Sequence, residues 1–459
     1  MSNSTNGSTF TTYGWAVCLW GLINSFQYGY HISVLNQIQA VLTCEDQRTN
    51  PGLAPSFLNP STCIEMSGFV FSFVTAVFTI GGLTGSLVAN LVMDSKGRRG
   101  THRICAFFVV TGNVFMGFGS SIFSLSLGRF LIGVASGLGL CVTPIYLAEI
   151  APSSISGSVG VLAQMSIVIG IMVTQSIGLN LATPETWRYV FLVSFAISAV
   201  QLVAAPAIVE SPSFLLTQSR QEDQKNAARR LWGGTYLPLS DEEPESEEPR
   251  TPNTTQRGTI TVPEVFRRPE LRGPLLVVCF AMLSQQLSGI NAVLYYSNSI
   301  LSKALPDFGP YVSLGITIVN TIMTFPPIFL IEKLGRKPIL LLSALGSIVS
   351  LILLGYGLDS NASKLASVTI VTFVMSFAFG LGPIPFVMIP EVSPPYAVSA
   401  LSSIALSLNW IANFSVGLAF LPIQNLLSGG DQLKEGRVFY LFVTLFGICV
   451  VTLFRLYRT

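Results

Sequence analysis

Charge is scarce in this chain. About 10% of its 459 residues are Asp, Glu, Lys or Arg, against roughly 25% in an ordinary soluble domain. A water-soluble globule is therefore not the simplest account. The few charges nearly balance, at +2, so no basic surface for nucleic acid is expected. Histidine is rarer still, with only His31 and His102 present. No metal-ligand cluster and no nucleophile-base constellation can be drawn, so no metal, cofactor or enzymatic activity is expected. Met1 to Thr12 holds no Lys or Arg and lacks the basic start of a signal peptide, so the first span is expected to be retained. Cysteine is sparse too, seven in all. Cys18, Cys105, Cys141, Cys279 and Cys449 lie in or at hydrophobic runs and read as small apolar filler. Cys44 and Cys63 bracket a polar loop and form a disulfide candidate if the loop faces an oxidising compartment. Two free thiols are the alternative.

Apolar sequence is abundant instead. Runs such as Ile104 to Leu127, Val190 to Val209 and Ile339 to Leu358 reach the ~20 residues that cross a bilayer as a helix. Twelve spans can be drawn, at about 13–35, 66–93, 103–126, 128–148, 157–182, 187–209, 273–302, 309–332, 338–358, 365–390, 397–424 and 437–456. The fold class expected is an all-α membrane protein with twelve transmembrane helices in two pseudo-symmetric six-helix halves. The halves are 1–209 and 273–459, and 210–272 is a cytoplasmic linker with short helices and an acidic loop. Gln221 to Trp232 has helical composition, whereas the acidic, Pro-containing run Asp241 to Arg250 reads as a solvated linker. With both ends cytoplasmic, roughly 18 of the 25 Lys and Arg fall inside, as the positive-inside rule requires.

A charged cassette occurs twice, as Asp94-Ser-Lys-Gly-Arg98-Arg99 and Glu332-Lys-Leu-Gly-Arg336-Lys337. In each, an acid precedes an arginine by four residues, a spacing that supports a helix end or turn. One copy alone reads as ordinary positive-inside anchoring. Two copies, at matching places in two six-span halves, favour a conformational latch of the kind that repeat-built transporters use. Further acids end spans at Glu149 and Glu391 and begin the linker at Glu210. Glu149 and Glu391 are expected to pair with the cassette arginines when the cytoplasmic side is closed.

Polar residues inside spans are the other signal. Gln285, Gln286 and Asn291 share the seventh span. On a regular helix Gln286 and Asn291 would lie ~140° apart, and unwinding near Gly289 would bring them together. Gln164, Asn320, Asn409 and Trp410 add amides and a ring. Amides both donate and accept, and an aromatic plate suits an apolar face. Such a set fits a neutral polyhydroxyl solute, while helix–helix hydrogen bonding is the plain alternative.

Together, Gln27-Tyr-Gly-Tyr30, Gly97-Arg-Arg99, Gly128-Arg-Phe130, Pro144 to Glu149, Glu210-Ser-Pro212, Gln285 to Asn291, Gly335-Arg336, Gly382-Pro-Ile-Pro385 and Asn409-Trp410 resemble the sugar porter family of the major facilitator superfamily. They look most like the facilitative glucose transporters of animals and their fungal relatives. The resemblance implies transport of a hexose by alternating access, with uniport preferred over proton symport. It implies that Gln164, Gln285, Gln286, Asn291, Asn320 and Asn409 bind the sugar with Trp410 beside it, and that Asp94, Arg98, Arg99, Glu149, Glu210, Glu332, Arg336 and Glu391 form the gate. The expected partners are a small-molecule sugar and the lipid bilayer, with protons under the symport reading. The plasma membrane is the family's default location, an internal membrane the alternative.

The chain departs from its family in several places. Arginines expected at three latch positions are Ser156, Val398 and Ser213 here, implying a weaker latch. Ala378 replaces a site carboxylate, and Phe386 replaces a tryptophan and stays among the substrate-binding candidates. His31 stands where proton-coupled members carry aspartate and glucose uniporters carry asparagine. A neutral imidazole and a proton-coupling imidazole are both open readings. A sugar sensor that does not transport, and a transporter of a polyol or other polar solute, are the rival functions.

Overall fold

Inside a bilayer every backbone N–H and C=O must find a partner within the protein, which leaves the helix as the natural element for long apolar runs. In a computed structural model of the chain, residues 10–44, 63–233, 260–291, 293, 311–429, 431 and 434–457 are described. The acidic run 241–250, the interior of the loop between Cys44 and Cys63, and the end of the seventh expected span lie outside the described residues. Among the described residues all regular structure is helical.

Helix α1 (Thr12–Leu42) begins where the Thr11 side chain accepts from the Gly14 N–H. Helix α2 (Gly68–Phe118) carries both the second and third expected spans, and the chain turns back within it at Gly97. Helices α3 (Ile122–Ile150), α4 (Ser156–Leu181) and α5 (Tyr189–Ala204) complete the first group. Three short helices follow: α6 (Pro212–Thr217), α7 (Gln221–Trp232) and α8 (Val262–Arg267). The second group comprises α9 (Arg272–Leu287), α10 (Val312–Leu334), α11 (Arg336–Asp359), α12 (Ser363–Ser376), α13 (Ile384–Val392), α14 (Val398–Ser428) and α15 (Arg437–Leu456).

Nine described helical stretches are long and apolar enough to cross a membrane. Helix α1 is not one of them, and it buries Asn24, Ser25, Gln27, His31 and Ser33 within the bundle. Large apolar side chains such as Phe69, Phe118, Phe123 and Val203 are exposed, which suits a surface bathed in hydrocarbon rather than water. The chain is a multi-pass helical membrane protein.

One core fills the first group of helices but also takes in Phe386, Val398 and Trp410 from the second. A second core fills the later helices and takes in Val161 of α4. Two seams therefore join the groups. At one, α14 meets α2 and α3: Ser403 Oγ donates to Ser86 O, and Ser402 Oγ donates to Cys141 O at 3.2 Å. At the other, α4 meets α10, and Ser158 Oγ donates to Ile328 O at 2.6 Å. A disulfide joins Cys44 to Cys63, with Cα atoms 5.3 Å apart.

Candidate functional site

The tenth expected span is broken where it reaches the middle of the molecule. Helix α12 passes into a π-helical turn at Phe377–Leu381 before α13 begins, and π-turns of this kind are frequent at functional sites. Pro385 has no N–H to offer the carbonyl of Leu381 four residues earlier. That carbonyl is taken up by another helix. Gln285 Nε2 of α9 donates to Leu381 O at 3.1 Å and to Gly382 O at 3.0 Å.

From Gln285 a chain of amides continues. Its Oε1 accepts from Asn409 Nδ2 of α14 at 3.0 Å, and Asn409 Oδ1 accepts from Gln286 Nε2 at 3.2 Å. Gln286 Oε1 in turn accepts from Asn291 Nδ2 at 3.1 Å. The last link depends on Gly289, whose φ of +78° breaks the helical register between Gln286 and Asn291. Gln285, Gln286 and Asn409 are buried.

The remaining candidates surround this chain in different ways. Gln164, on α4 of the first group, lies against Gly382, where an added Cβ would come 3.3 Å from its Nε2. Trp410 is buried between Tyr28 and Phe78, with ring centroids 5.8 Å and 5.9 Å away. Among the described residues its Nε1 has no hydrogen-bond partner. Phe386 is buried in the first core. Asn320 is not drawn into the amide chain by any hydrogen bond described, and among the described residues its buried Oδ1 has no partner. Tyr28 and Phe78 were not singled out from sequence. Neither was the amide pair Gln37–Gln175, which joins α1 to α4. An amide in an apolar span was the signal available for Gln175, whereas Gln37 lies past the end of the first expected span, at 13–35.

His31 lies inside the first group. Its Nε2 is 2.7 Å from Ser194 Oγ of α5, and that hydroxyl also meets Gln27 and Asn113. Arg129, almost fully buried, donates from Nη1 to the His31 carbonyl at 2.7 Å and stacks 4.4 Å from the Phe78 ring centroid. A protonated imidazole would therefore sit beside a fixed guanidinium.

The twin cassettes share a backbone. Gly97 has φ +76° and ψ −178°, and Gly335 has φ +81° and ψ 172°. This left-handed region favours glycine. The partners follow the expected cross-pairs: Arg98 grips Glu149 through Nε at 3.0 Å and Nη2 at 2.9 Å, and Arg336 grips Glu391 through Nε at 2.8 Å. The local pairs differ between copies. Arg336 also meets Glu332 at 3.3 Å. In the first copy no Asp94–Arg98 bond forms; Asp94 accepts from Asn90 at 2.7 Å, and Arg98 is directed to Glu149.

Two further contacts give the cassettes reach. Glu210 accepts from the backbone N–H groups of Arg98, Arg99 and Ser211 at 2.9–3.0 Å. Burial pushes its carboxyl above the ordinary value, and these N–H groups oppose the shift. Arg99 also donates from Nη1 to Ile208 O at 2.8 Å. Glu332, from α10 of the second group, accepts from the N–H groups of Gly157 and Ser158 at 2.7 and 3.1 Å. It thus caps α4 of the first group, where carboxylates are favoured by the helix dipole. Sequence reading marked Glu332 but not this cross-group cap.

Known proteins resemble this chain over most of its length. A family model described as "Sugar (and other) transporter" matches residues 17–459. The chain is 34% identical over 415 residues to solute carrier family 2, facilitated glucose transporter member 3 of Ovis aries, covering 87% of this chain and 81% of that protein. It is 30% identical over 421 residues to the probable metabolite transport protein YBR241C of Saccharomyces cerevisiae, with 89% and 86% covered. Its fold matches the proton:xylose symporter XylE bound to 6-bromo-6-deoxy-D-glucose, with a TM-score of 0.78 at 19% identity, covering 97% of this chain and 96% of that one.

Proposed function

The chain belongs to the sugar transporter family, and on that footing we propose that it carries a hexose by alternating access, bound between the two groups of helices. The observation that carries this reading is the uncharged chain Gln285–Asn409–Gln286–Asn291, with Gln164 facing it from the other group and Trp410 beside it. Amides that satisfy one another when the site is empty can exchange those bonds for sugar hydroxyls without exposing a bare charge. The likeness to facilitated glucose transporters supports a glucose-type hexose. On this reading the halves are 1–209 and 273–459, joined by 210–272, and the plasma membrane is the proposed location.

The direct test is counterflow in proteoliposomes with a panel of hexoses, pentoses and polyols at two pH values. Accelerated uptake of labelled glucose with hexoses trapped inside is the expected result. Acceleration by polyols alone would transfer the assignment to them.

Uniport is the reading favoured for coupling. The Arg129 guanidinium at the His31 carbonyl opposes a second positive charge there. Glucose uptake is expected to be independent of a proton gradient, and His31→Asn to retain at least half of it. Proton influx that accompanies sugar and vanishes in His31→Asn would establish symport instead.

The gate is assigned to the Arg98–Glu149 and Arg336–Glu391 pairs and the Glu332 cap. Val398 is buried at the seam, and Ser156 begins the helix that Glu332 caps. The double variant Ser156→Arg, Val398→Arg is expected to tighten this seam and slow net efflux several-fold. Unchanged influx and efflux at equal surface expression would show that the seam does not limit the cycle.

A further inference from the structure

Where the two groups of helices meet beside the gate, a cavity of about 370 Å³ lies between them. That volume falls within the range of small-ligand sites. Glu149 contributes its wall from α3, Pro390, Ser393 and Val398 from the second group, and Ser213 and Trp232 from the short helices. Among the described residues Glu149 is the one charged residue in the lining. Arg98 supplies one hydrogen bond to each of its carboxylate oxygens, and each retains a further lone pair. The Glu149 side chain keeps 14% exposure.

Ser393 makes the cavity more than a packing gap. It is 7% exposed, and among the described residues its Oγ has no hydrogen-bond partner. An orphaned buried hydroxyl costs about 1–3 kcal/mol, a cost that an occupant with a donor or acceptor would relieve. The site thus offers a carboxylate, an unused hydroxyl and apolar walls in one space. Arg98 offsets the charge of Glu149, but the carboxylate's remaining lone pairs accept donors only, as in a carboxylate shared by two guanidinium groups, and the indole and proline walls suit a short apolar body.

We propose that this cavity binds a small organic cation of the alkylguanidinium or alkylammonium class, and that its occupancy holds the cytoplasmic ends of the two helix groups together. The cationic head meets Glu149, a donor N–H meets Ser393 Oγ, and the alkyl part lies against Pro390, Val398 and Trp232. Such an occupant touches both groups, so it stabilises the arrangement in which they are closed and slows the cycle. It is a regulator, separate from the sugar.

The test uses the purified full chain with n-butylguanidinium, and n-butylurea as its neutral counterpart of similar shape. Millimolar n-butylguanidinium is expected to raise the melting midpoint, and to cut uptake several-fold when applied from the cytoplasmic face of proteoliposomes. n-Butylurea is expected to do neither. Ser393→Ala should weaken the apparent affinity about tenfold, and Ser213→Trp, at the exposed rim, should abolish the melting shift by filling the space. Equal shifts with both probes, no shift in the wild type, or a shift retained undiminished in both variants overturns the proposal. Because melting is read without sugar, a failure of the hexose reading leaves this result separately decided.

Discussion

Arg98→Met is expected to open the cytoplasmic seam and remove most net transport. Arg98 is 4% exposed and its partner Glu149 14%, so the substitution leaves a mostly buried carboxylate without its cation. Breaking a buried pair in this way costs about 3–5 kcal/mol. Arg98 on α2 and Glu149 on α3 lie in the same group, so the part of that cost felt in the closed arrangement alone acts on the gate, each ~1.4 kcal/mol of it shifting the equilibrium tenfold. Methionine keeps the apolar stem, and the Arg98 backbone N–H bond to Glu210 does not depend on the side chain. The loss should therefore fall on the gate rather than on the turn. Val161, fully buried on α4 but packed in the second core, provides the readout. In a background without other cysteines, Val161→Cys should be labelled from the cytoplasmic side much faster when Arg98 is Met. An unchanged labelling rate would sink the idea. Arg336→Met is expected to act more weakly, because Arg336 and Glu391 are 23% and 26% exposed and water screens such pairs.

The contrast between the two cassettes shows how far the sequence could be read. Their doubling, their glycines and their distant acids were visible because each is a residue type at a fixed place, repeated in both halves. The equality of Gly97 and Gly335 in backbone conformation follows from that repetition. The difference between Asp94 and Glu332 did not show in the spacing. Both acids lie four residues before an arginine, yet only Glu332 meets it, and Glu332 also reaches a helix start in the other group. Such a contact depends on how two helices from different halves are brought together, which no local pattern records. Helix α7 lies at the other extreme. Its twelve residues match the stretch that composition marked as helical, because Glu222 and Asp223 in the first turn and Arg229 and Arg230 in the last suit the helix dipole.

Among the amides, sequence gave three on one span, and the structure separates their roles. Gln285 serves two carbonyls released by Pro385 and the π-turn, so Gln285→Leu would leave Leu381 O without its partner. At about 1–3 kcal/mol for each group left unsatisfied, that variant should melt several degrees lower, and transport should fall both with the folded protein and through the place of Gln285 in the amide chain. Among the described residues the Gln286 side chain meets only other side-chain amides. In Gln286→Leu, Asn409 keeps its bond to Gln285 Oε1, so the helices stay joined, but Asn409 Oδ1 and Asn291 Nδ2 lose their partner and melting should also fall by a few degrees. Glucose uptake per folded molecule is expected to fall at least tenfold, since a hydroxyl that used Gln286 finds no donor or acceptor there. Competition by epimers that differ at one hydroxyl gives the finer reading. The epimer whose inverted hydroxyl cannot reach Gln286 should lose its disadvantage in the variant, because both sugars then miss the same bond. Wild-type uptake in Gln286→Leu would mean that the amide chain joins helices without holding sugar, and that the hexose is bound elsewhere along the seam.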